Sequence, residues 1–171
     1  MPPTYEPEAV VPMVEELTNI GIESLSSAED VDRVLLNSKG TSMLVINSVC
    51  GCAAGSCRPG VVAALQNKLI PNHLATVFAG VDMEAVERAR EIMSDVPPSS
   101  PNVAIFKDGE MIGILQRQHI ERMDADMIAE ALVKVFDEHC DGEGPSVPPE
   151  VADDNDHVKV CGTTIPLYNE E

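Results

Sequence analysis

This 171-residue chain has no tryptophan, only two tyrosines and three phenylalanines, and 11 basic residues against 29 acidic ones. The shortage of aromatics means that its core rests on Ile, Leu, Val, Ala and Met. The shortage of Lys and Arg leaves a net charge of -18, which argues against a nucleic-acid partner and against an anionic membrane surface. The plain reading of so much negative charge is solubility. No apolar run nears the ~20 residues of a membrane span. Met1 to Glu8 carries Glu6 and Glu8 but no Lys or Arg, so no targeting segment is read there and a cytoplasmic chain is expected. Neither a Walker A loop nor a dinucleotide fingerprint is present. His73, His119, His139 and His157 share no metal-ligand spacing.

What the chain does have is 44% apolar residues, enough for one domain with a sizeable core, and five cysteines. These are Cys50, Cys52, Cys57, Cys140 and Cys161. An odd number, three clustered and two scattered, is unlike a secreted disulfide scaffold. In a reducing compartment it suits catalytic or metal-binding thiols.

The patterning predicts an amphipathic helix over Glu8 to Asn19 with Val11, Val14 and Leu17 inward, stopped at Gly21. A second helix follows a Ser27 cap and carries Val31, Val34 and Leu35 on one side. Thr41 to Ser48 reads as a buried strand. A helix with Pro59 in its first turn is expected from Arg58 to Leu69. Leu74 to Phe78 is a second buried strand, and Asp82 is placed to cap a helix bearing Val86, Ala89, Ile92 and Met93. Val103 to Phe106 and Met111 to Leu115 flank Asp108-Gly109 as a hairpin. A last helix spans Asp124 to Glu138, with Ile128, Leu132, Val135 and Phe136 at helical spacing. A short edge strand fits within Ile20 to Leu25. A parallel βαβ unit followed by an antiparallel hairpin and a closing helix is the thioredoxin-like arrangement. The fold class expected is therefore α/β, a three-layer sandwich with a mixed four- or five-stranded sheet and flanking helices. The composition changes after Cys140. Residues 141–171 hold eight acidic residues against Lys159, with four prolines and three glycines. The chain is thus divided into a domain over residues 1–140 with an N-terminal helical extension, and an acidic C-terminal extension that is partly flexible or draped over it.

Cys50-Gly51-Cys52 stands where the first buried strand ends. The thiolate is the attacking species in sulfur chemistry, so such a site must favour the anion. A following helix would supply free N–H groups and the positive end of its dipole. Arg58 would add a positive charge. Gly51 and Gly55 would let the backbone turn tightly and approach a partner closely, and Ala53 and Ala54 would keep bulk away. A disulfide across one intervening residue closes a small ring in which the preferred geometry is hard to reach, which suits exchange over storage. Cys50 is read as the attacking thiol, and Cys52 as the group that releases the trapped intermediate or tunes Cys50. Pro101 is read as a cis proline that sets the Ser100 backbone beside the thiols, where this fold holds a substrate peptide. Cys57 stays open among a third redox partner, a metal ligand with Cys50 and Cys52, and a small buried residue. Cys140 is read as a packed thiol, and Cys161 as a candidate resolving cysteine on a tail that can reach.

The run Asn47-Ser48-Val49-Cys50-Gly51-Cys52-Ala53-Ala54-Gly55, with Arg58-Pro59-Gly60, closely resembles the signature of the bacilliredoxin family. Val77-Phe78-Ala79-Gly80, Ser100-Pro101, Phe106-Lys107-Asp108-Gly109 and Phe136-Asp137-Glu138-His139-Cys140 are also similar to that family, and the resemblance covers roughly Tyr5 to Cys140. It implies a thioredoxin-like protein with a Cys-Gly-Cys site that removes bacillithiol from cysteines of client proteins, with weak disulfide isomerase activity. It implies further that Cys50 takes the bacillithiol moiety as a mixed disulfide, that Cys52 matches the second motif cysteine, and that Pro101 matches the cis proline of the wider fold. Free bacillithiol, supported by its NADPH-dependent reductase, would reset the site. Bacillithiol is then a co-substrate, and no tightly bound cofactor is expected.

Two departures from the family pattern stand out: Cys57 replaces an alanine, which allows an additional intramolecular disulfide, and the tail beyond Cys140 looks like an addition. Two other readings stay open. One is a metal or iron–sulfur module using Cys50, Cys52 and Cys57, with Cys161 or a second subunit as the fourth ligand. The other is a non-catalytic interaction protein that kept the fold, with its acidic tail as a binding arm. A homodimer is also left open.

Overall fold

The computed structural model describes residues 1–155, 157 and 165–169. Helix α1 (Pro7–Thr18) buries Val10, Met13 and Leu17 together with Glu16. The stripe expected from Val11 and Val14 is one residue out of phase: Val11 is exposed and Val14 half-buried. Both stripes fit the 3.6-residue period, and a cluster with Val49 and Phe78 selects Val10 and Met13. Strand β1 (Glu23–Ser24) is the short edge strand. Helix α2 (Ala28–Leu35) is capped by Ser27, whose Oγ accepts the Asp30 N–H at 3.1 Å, and it buries Val31, Val34 and Leu35 as the pattern predicts.

Strand β2 (Thr41–Asn47) is buried at every position. Its side chains alternate between two cores: Met43 and Val45 face one, Leu44 and Ile46 the other. The next helix differs from expectation. Helical turns begin at Gly51. Ala53–Cys57 forms a wide π turn, which runs into α3 (Arg58–Ala64), and the helix ends at Ala64 rather than Leu69. Pro59 therefore lies within a longer helical segment. In a regular α-helix its ring would collide with the carbonyl four residues back, and its missing N–H would leave that carbonyl unpaired. The widened turn just upstream, closed by the Arg58 N–H donating to the Ala53 carbonyl, accommodates it.

Strands β3 (Leu69–Ile70) and β4 (His73–Phe78) follow, then helix α4 (Met83–Ile92). Asp82 does not cap α4 as expected. Its Oδ2 turns back to accept the Phe78 N–H at 2.9 Å. Strands β5 (Asn102–Lys107) and β6 (Glu110–Leu115) form the hairpin. Asp108 and Gly109 have φ of 50° and 87°, the two left-handed residues of a tight hairpin turn. A four-residue helix α5 (Arg117–Ile120), not visible in the pattern, precedes α6 (Ala125–His139), which Asp124 caps through the Met127 N–H at 2.8 Å. Strand β7 (Gly142–Glu143) pairs antiparallel with β3, and α7 (Pro149–Asp153) closes the described order.

The main sheet has five strands in the order β1-β4-β2-β5-β6. β1 and β2 run parallel to β4, and β5 and β6 are antiparallel. One core lies between the sheet and α3 and α6, and the other between the sheet and α2 and α4. This is the thioredoxin-like α/β three-layer sandwich, at the five-strand end of the expectation. Among the described residues no helix is long and apolar enough to cross a membrane.

The tail makes specific contacts. The Gly144 N–H donates to the Lys68 carbonyl and the Ser146 N–H to the Leu65 carbonyl, both at 2.9 Å. Leu167 bridges to Tyr5, and Ile165 packs on the cluster of Val10, Met13, Val49 and Phe78.

Helices α3 and α6 meet at Gly60. A Cβ there would stand 2.7 Å from both Cβ and Cγ2 of Ile128. Gly60→Ala should therefore push the helices apart and cost about 1–3 kcal/mol. Urea unfolding should give a lower midpoint with an unchanged slope.

Candidate active site

The site begins with a buried charge. Arg58 on α3 is fully buried and its Nε pairs with Glu16 on α1, which is 1% exposed. The Arg58 Nη1 donates to Asn47 Oδ1 at 3.1 Å and to the Ser48 carbonyl at 2.9 Å. Asn47 also donates its Nδ2 to the Met13 carbonyl at 3.1 Å and accepts the Ser48 N–H at 2.8 Å. Ser48 Oγ then accepts the Cys50 N–H at 3.1 Å. Polar contacts thus run unbroken from α1 through α3 to the residue that carries the first thiol. Such a pair is tolerated in the interior only with its remaining polar atoms satisfied, which these bonds supply. Outside it, Asn155 donates to the Glu16 carbonyl at 2.7 Å, and His157 Nδ1 lies 3.3 Å from Glu16 Oε1.

Cys50 sits at the start of the helical segment, its carbonyl accepting from Ala53 and Ala54 at 3.1 and 3.2 Å. Its sulfur lies 2.8 Å from the Cys52 sulfur, and both residues are partly exposed. Burial works against the Cys50 thiolate. Hydrogen bonds from Cys52, the Ser48 side chain and the Ala53 N–H, with the charge of Arg117, outweigh it and lower the Cys50 pKa. Cys52 goes the other way. Burial, its bond to Cys50 and the Cys50 charge push it up to about 11. The two sulfurs are thus unlike: a more acidic one that ionises first and a reluctant one that donates to it.

Ser100 and Pro101, joined by a cis peptide bond, precede β5. Ile46 pairs with Asn102 and Val103 with Leu115, so the end of β2, the Ser100-Pro101 segment and the residues after β6 share one edge of the sheet. Arg117 stands at that edge. Its Nη1 donates to the Ser100 carbonyl at 3.2 Å and its Nε to Glu121 at 2.8 Å. This is the functional residue that sequence reasoning missed. The charge assigned to the thiol from sequence was Arg58, which instead pairs with Glu16 and supports the backbone below. The sequence signal was weak, because Arg117 lies far from the cysteines and only strand register brings it back to them.

Gly51 and Gly55 also take a different role from the one expected. Neither has a positive φ, so neither is needed to turn the chain. A Cβ at either would meet nothing within 4 Å, so both leave open space beside the thiols. Cys57 is fully buried in the apolar core next to α6, and burial pushes its thiol up to about 12. Of its three readings, the structure places it as a buried residue and not as an exposed redox or ligand thiol. No group of three His, Cys, Asp or Glu that could hold a metal ion occurs among the described residues. Cys140 is buried at the end of α6, and desolvation raises its pKa against a hydrogen bond with Thr41. Cys161 lies outside the described residues.

Unlike sulfurs at the head of a helix, at the end of the central strand of this sheet and on the edge where a cis proline enters, define a thioredoxin-fold thiol oxidoreductase. The family model described as disulphide isomerase matches residues 5–140. The chain is 52% identical over 134 residues to a bacilliredoxin of Cytophaga hutchinsonii, covering 78% of this chain and 98% of that protein. It is 46% identical over 143 residues to a bacilliredoxin of Salinibacter ruber, covering 82% and 84%. The chain belongs to the bacilliredoxin family. Among solved structures it is similar to the thioredoxin of Malassezia sympodialis, with 17% identity, TM-score 0.46 and coverage of 70% of this chain and 90% of that one. It is also similar to thioredoxin O2 of Arabidopsis thaliana, with 14% identity, TM-score 0.43 and coverage of 67% and 94%.

Alkylation of Cys50 against pH should show a midpoint below that of an ordinary thiol. Cys52→Ala removes a donor to the thiolate, so it should move the midpoint up and slow alkylation at neutral pH. Arg58→Met should cost about 3–5 kcal/mol in denaturant unfolding, because it removes the buried guanidinium that pairs with Glu16, and the Glu16→Leu/Arg58→Met double variant should recover part of that loss.

Proposed function

We propose that this chain is a thiol–disulfide oxidoreductase that removes bacillithiol from mixed disulfides on client proteins, with weak disulfide isomerase activity. The observation that carries the reading is the opposed acidity of the two thiols 2.8 Å apart. The Cys50 thiolate attacks the bacillithiol sulfur. A Cys50–bacillithiol disulfide forms as the client–sulfur bond breaks, and the client leaves as a thiolate that takes a proton from solvent. Cys52 keeps its proton at neutral pH and stabilises Cys50 between turnovers. A second, free bacillithiol then attacks the Cys50 adduct, leaving Cys50 reduced and releasing oxidised bacillithiol. The chemistry uses the protein's own sulfurs and a small thiol as co-substrate, with no tightly bound cofactor. Residues 1–140 form the catalytic unit in this reading, residues 141–171 are an extension whose described part contacts it, and the setting is the cytoplasm, where client thiols are kept reduced.

The test is exchange on one client protein carrying either bacillithiol or glutathione. Wild type should release bacillithiol faster than glutathione. Cys50→Ser should abolish both reactions. Cys52→Ser should still accumulate the small-thiol adduct on Cys50, detectable by mass. An adduct that survives Cys50→Ser and vanishes in Cys52→Ser would reverse the two roles. Stoichiometric iron or zinc in protein purified without oxygen would favour a metal module instead.

A further inference from the structure

The Ser100 carbonyl is one of the groups that hold Arg117 in place. The Ser100 backbone is the expected place for an extended substrate peptide, whose N–H would share this oxygen with Arg117. The Arg117 Nη1 donates to that oxygen at 3.2 Å. Arg117 is held from two sides, by Ser100 and by the Glu121 carboxylate at 2.8 Å, while its side chain stays 45% exposed. Its Nη2 has no hydrogen-bond partner among the described residues. A Cβ at Gly51, the residue between the two cysteines, would meet nothing within 4 Å. With Nε and Nη1 engaged, the half-exposed guanidinium still offers its Nη2 N–H groups to an anion, and its charge cannot titrate away. On a chain of net charge -18, which repels anions in general, a local cation beside the thiols gives a small anion a specific place to land.

We propose that Arg117 is the specificity residue of this site, and that it binds a carboxylate of the small thiol carried on the client, so that the enzyme recognises an anionic low-molecular-weight thiol adduct more than the client's peptide. The inference rests on the thiol-exchange reading above. In the step it serves, the Cys50 thiolate attacks the small thiol's sulfur. The new Cys50–small thiol disulfide forms as the client–sulfur bond breaks, and the client departs as a thiolate that takes a proton from solvent. Arg117 holds the carboxylate of the part that stays on the enzyme.

The test uses one cysteine peptide as mixed disulfides with 3-mercaptopropionate, 2-mercaptoethanol or cysteamine, giving an anionic, a neutral and a cationic adduct on the same leaving group. Each rate is divided by that of dithiothreitol with the same adduct, which removes intrinsic reactivity. It is measured on the plateau of each variant's own pH–rate profile, which removes differences in thiolate fraction. Wild type should prefer the anionic over the neutral adduct by roughly three- to five-fold in kcat/KM at low salt, with the cationic adduct slowest, and the preference should shrink as salt is added. Arg117→Gln, which keeps a donor for the Ser100 carbonyl without the charge, should abolish the preference, and Arg117→Lys should retain part of it. Wild type without a charge preference, an unchanged preference in Arg117→Gln, or a preference for cysteamine would each overturn the proposal while leaving thiol exchange intact. Absence of any Cys50 adduct from all three substrates would overturn the exchange reading itself, and this proposal with it.

Discussion

The reactive end of this molecule is organised by one buried ion pair. Arg58 and Glu16 join α1 and α3 in the interior, and the same guanidinium grips Asn47 and the Ser48 carbonyl where β2 runs out. Two charges withdrawn from water are costly, and their mutual attraction offsets that cost only when geometry and further hydrogen bonds are good. What the pair contributes is a fixed position. These bonds tie the two helices and the strand end to one another, so the loop carrying Cys50 is built on a rigid floor. A site that must present one sulfur to solvent at a reproducible angle gains from such a floor more than from another apolar contact.

On that floor the two thiols divide their labour by environment, not by sequence. They are separated by a single glycine and both are partly exposed, yet one is made more acidic and the other less so. Every donor converges on Cys50: a hydroxyl from the strand end, a backbone N–H from the helix start and the neighbouring thiol itself. Cys52 receives none of these and feels the negative charge of its neighbour. Arg117 and Glu121 set a small field over both sulfurs within a chain that is acidic elsewhere.

Much of this was legible in the sequence. β2 with its following cysteines, the Asp108-Gly109 hairpin, the Ser27 cap and the start of the last helix at Asp124 follow from local rules of turn, cap and pattern, whereas the cis Ser100–Pro101 bond is expected only from its place in the fold. The misreadings share one cause. Val11 and Val14 share the period of the true stripe on α1, and only contact with Val49 and Phe78 decides between them. Arg58 lies next to the cysteines along the chain but turns inward, because Glu16, remote in sequence, waits there. Arg117 is remote in sequence and adjacent in space, because β5 and β6 fold back across β2. Asp82 had the right type for a cap and found a nearer donor. In each case local chemistry named what a residue could do, and tertiary register decided which of those things it does.

The strict alternation along β2 carries a last implication, about what kinds of sequence change this chain can absorb. Met43 and Val45 belong to one apolar layer, Leu44 and Ile46 to the other, and the parity of the strand fixes which way the chain faces when it reaches Cys50. Losing or gaining one residue between Thr41 and Asn47 would exchange the two layers and turn the cysteines through half a rotation at once. Single substitutions there are graded in effect, whereas a one-codon insertion or deletion is all-or-none. Changes in length should be tolerated only where no such parity is counted, such as the segment between α4 and Ser100 or the tail beyond β7.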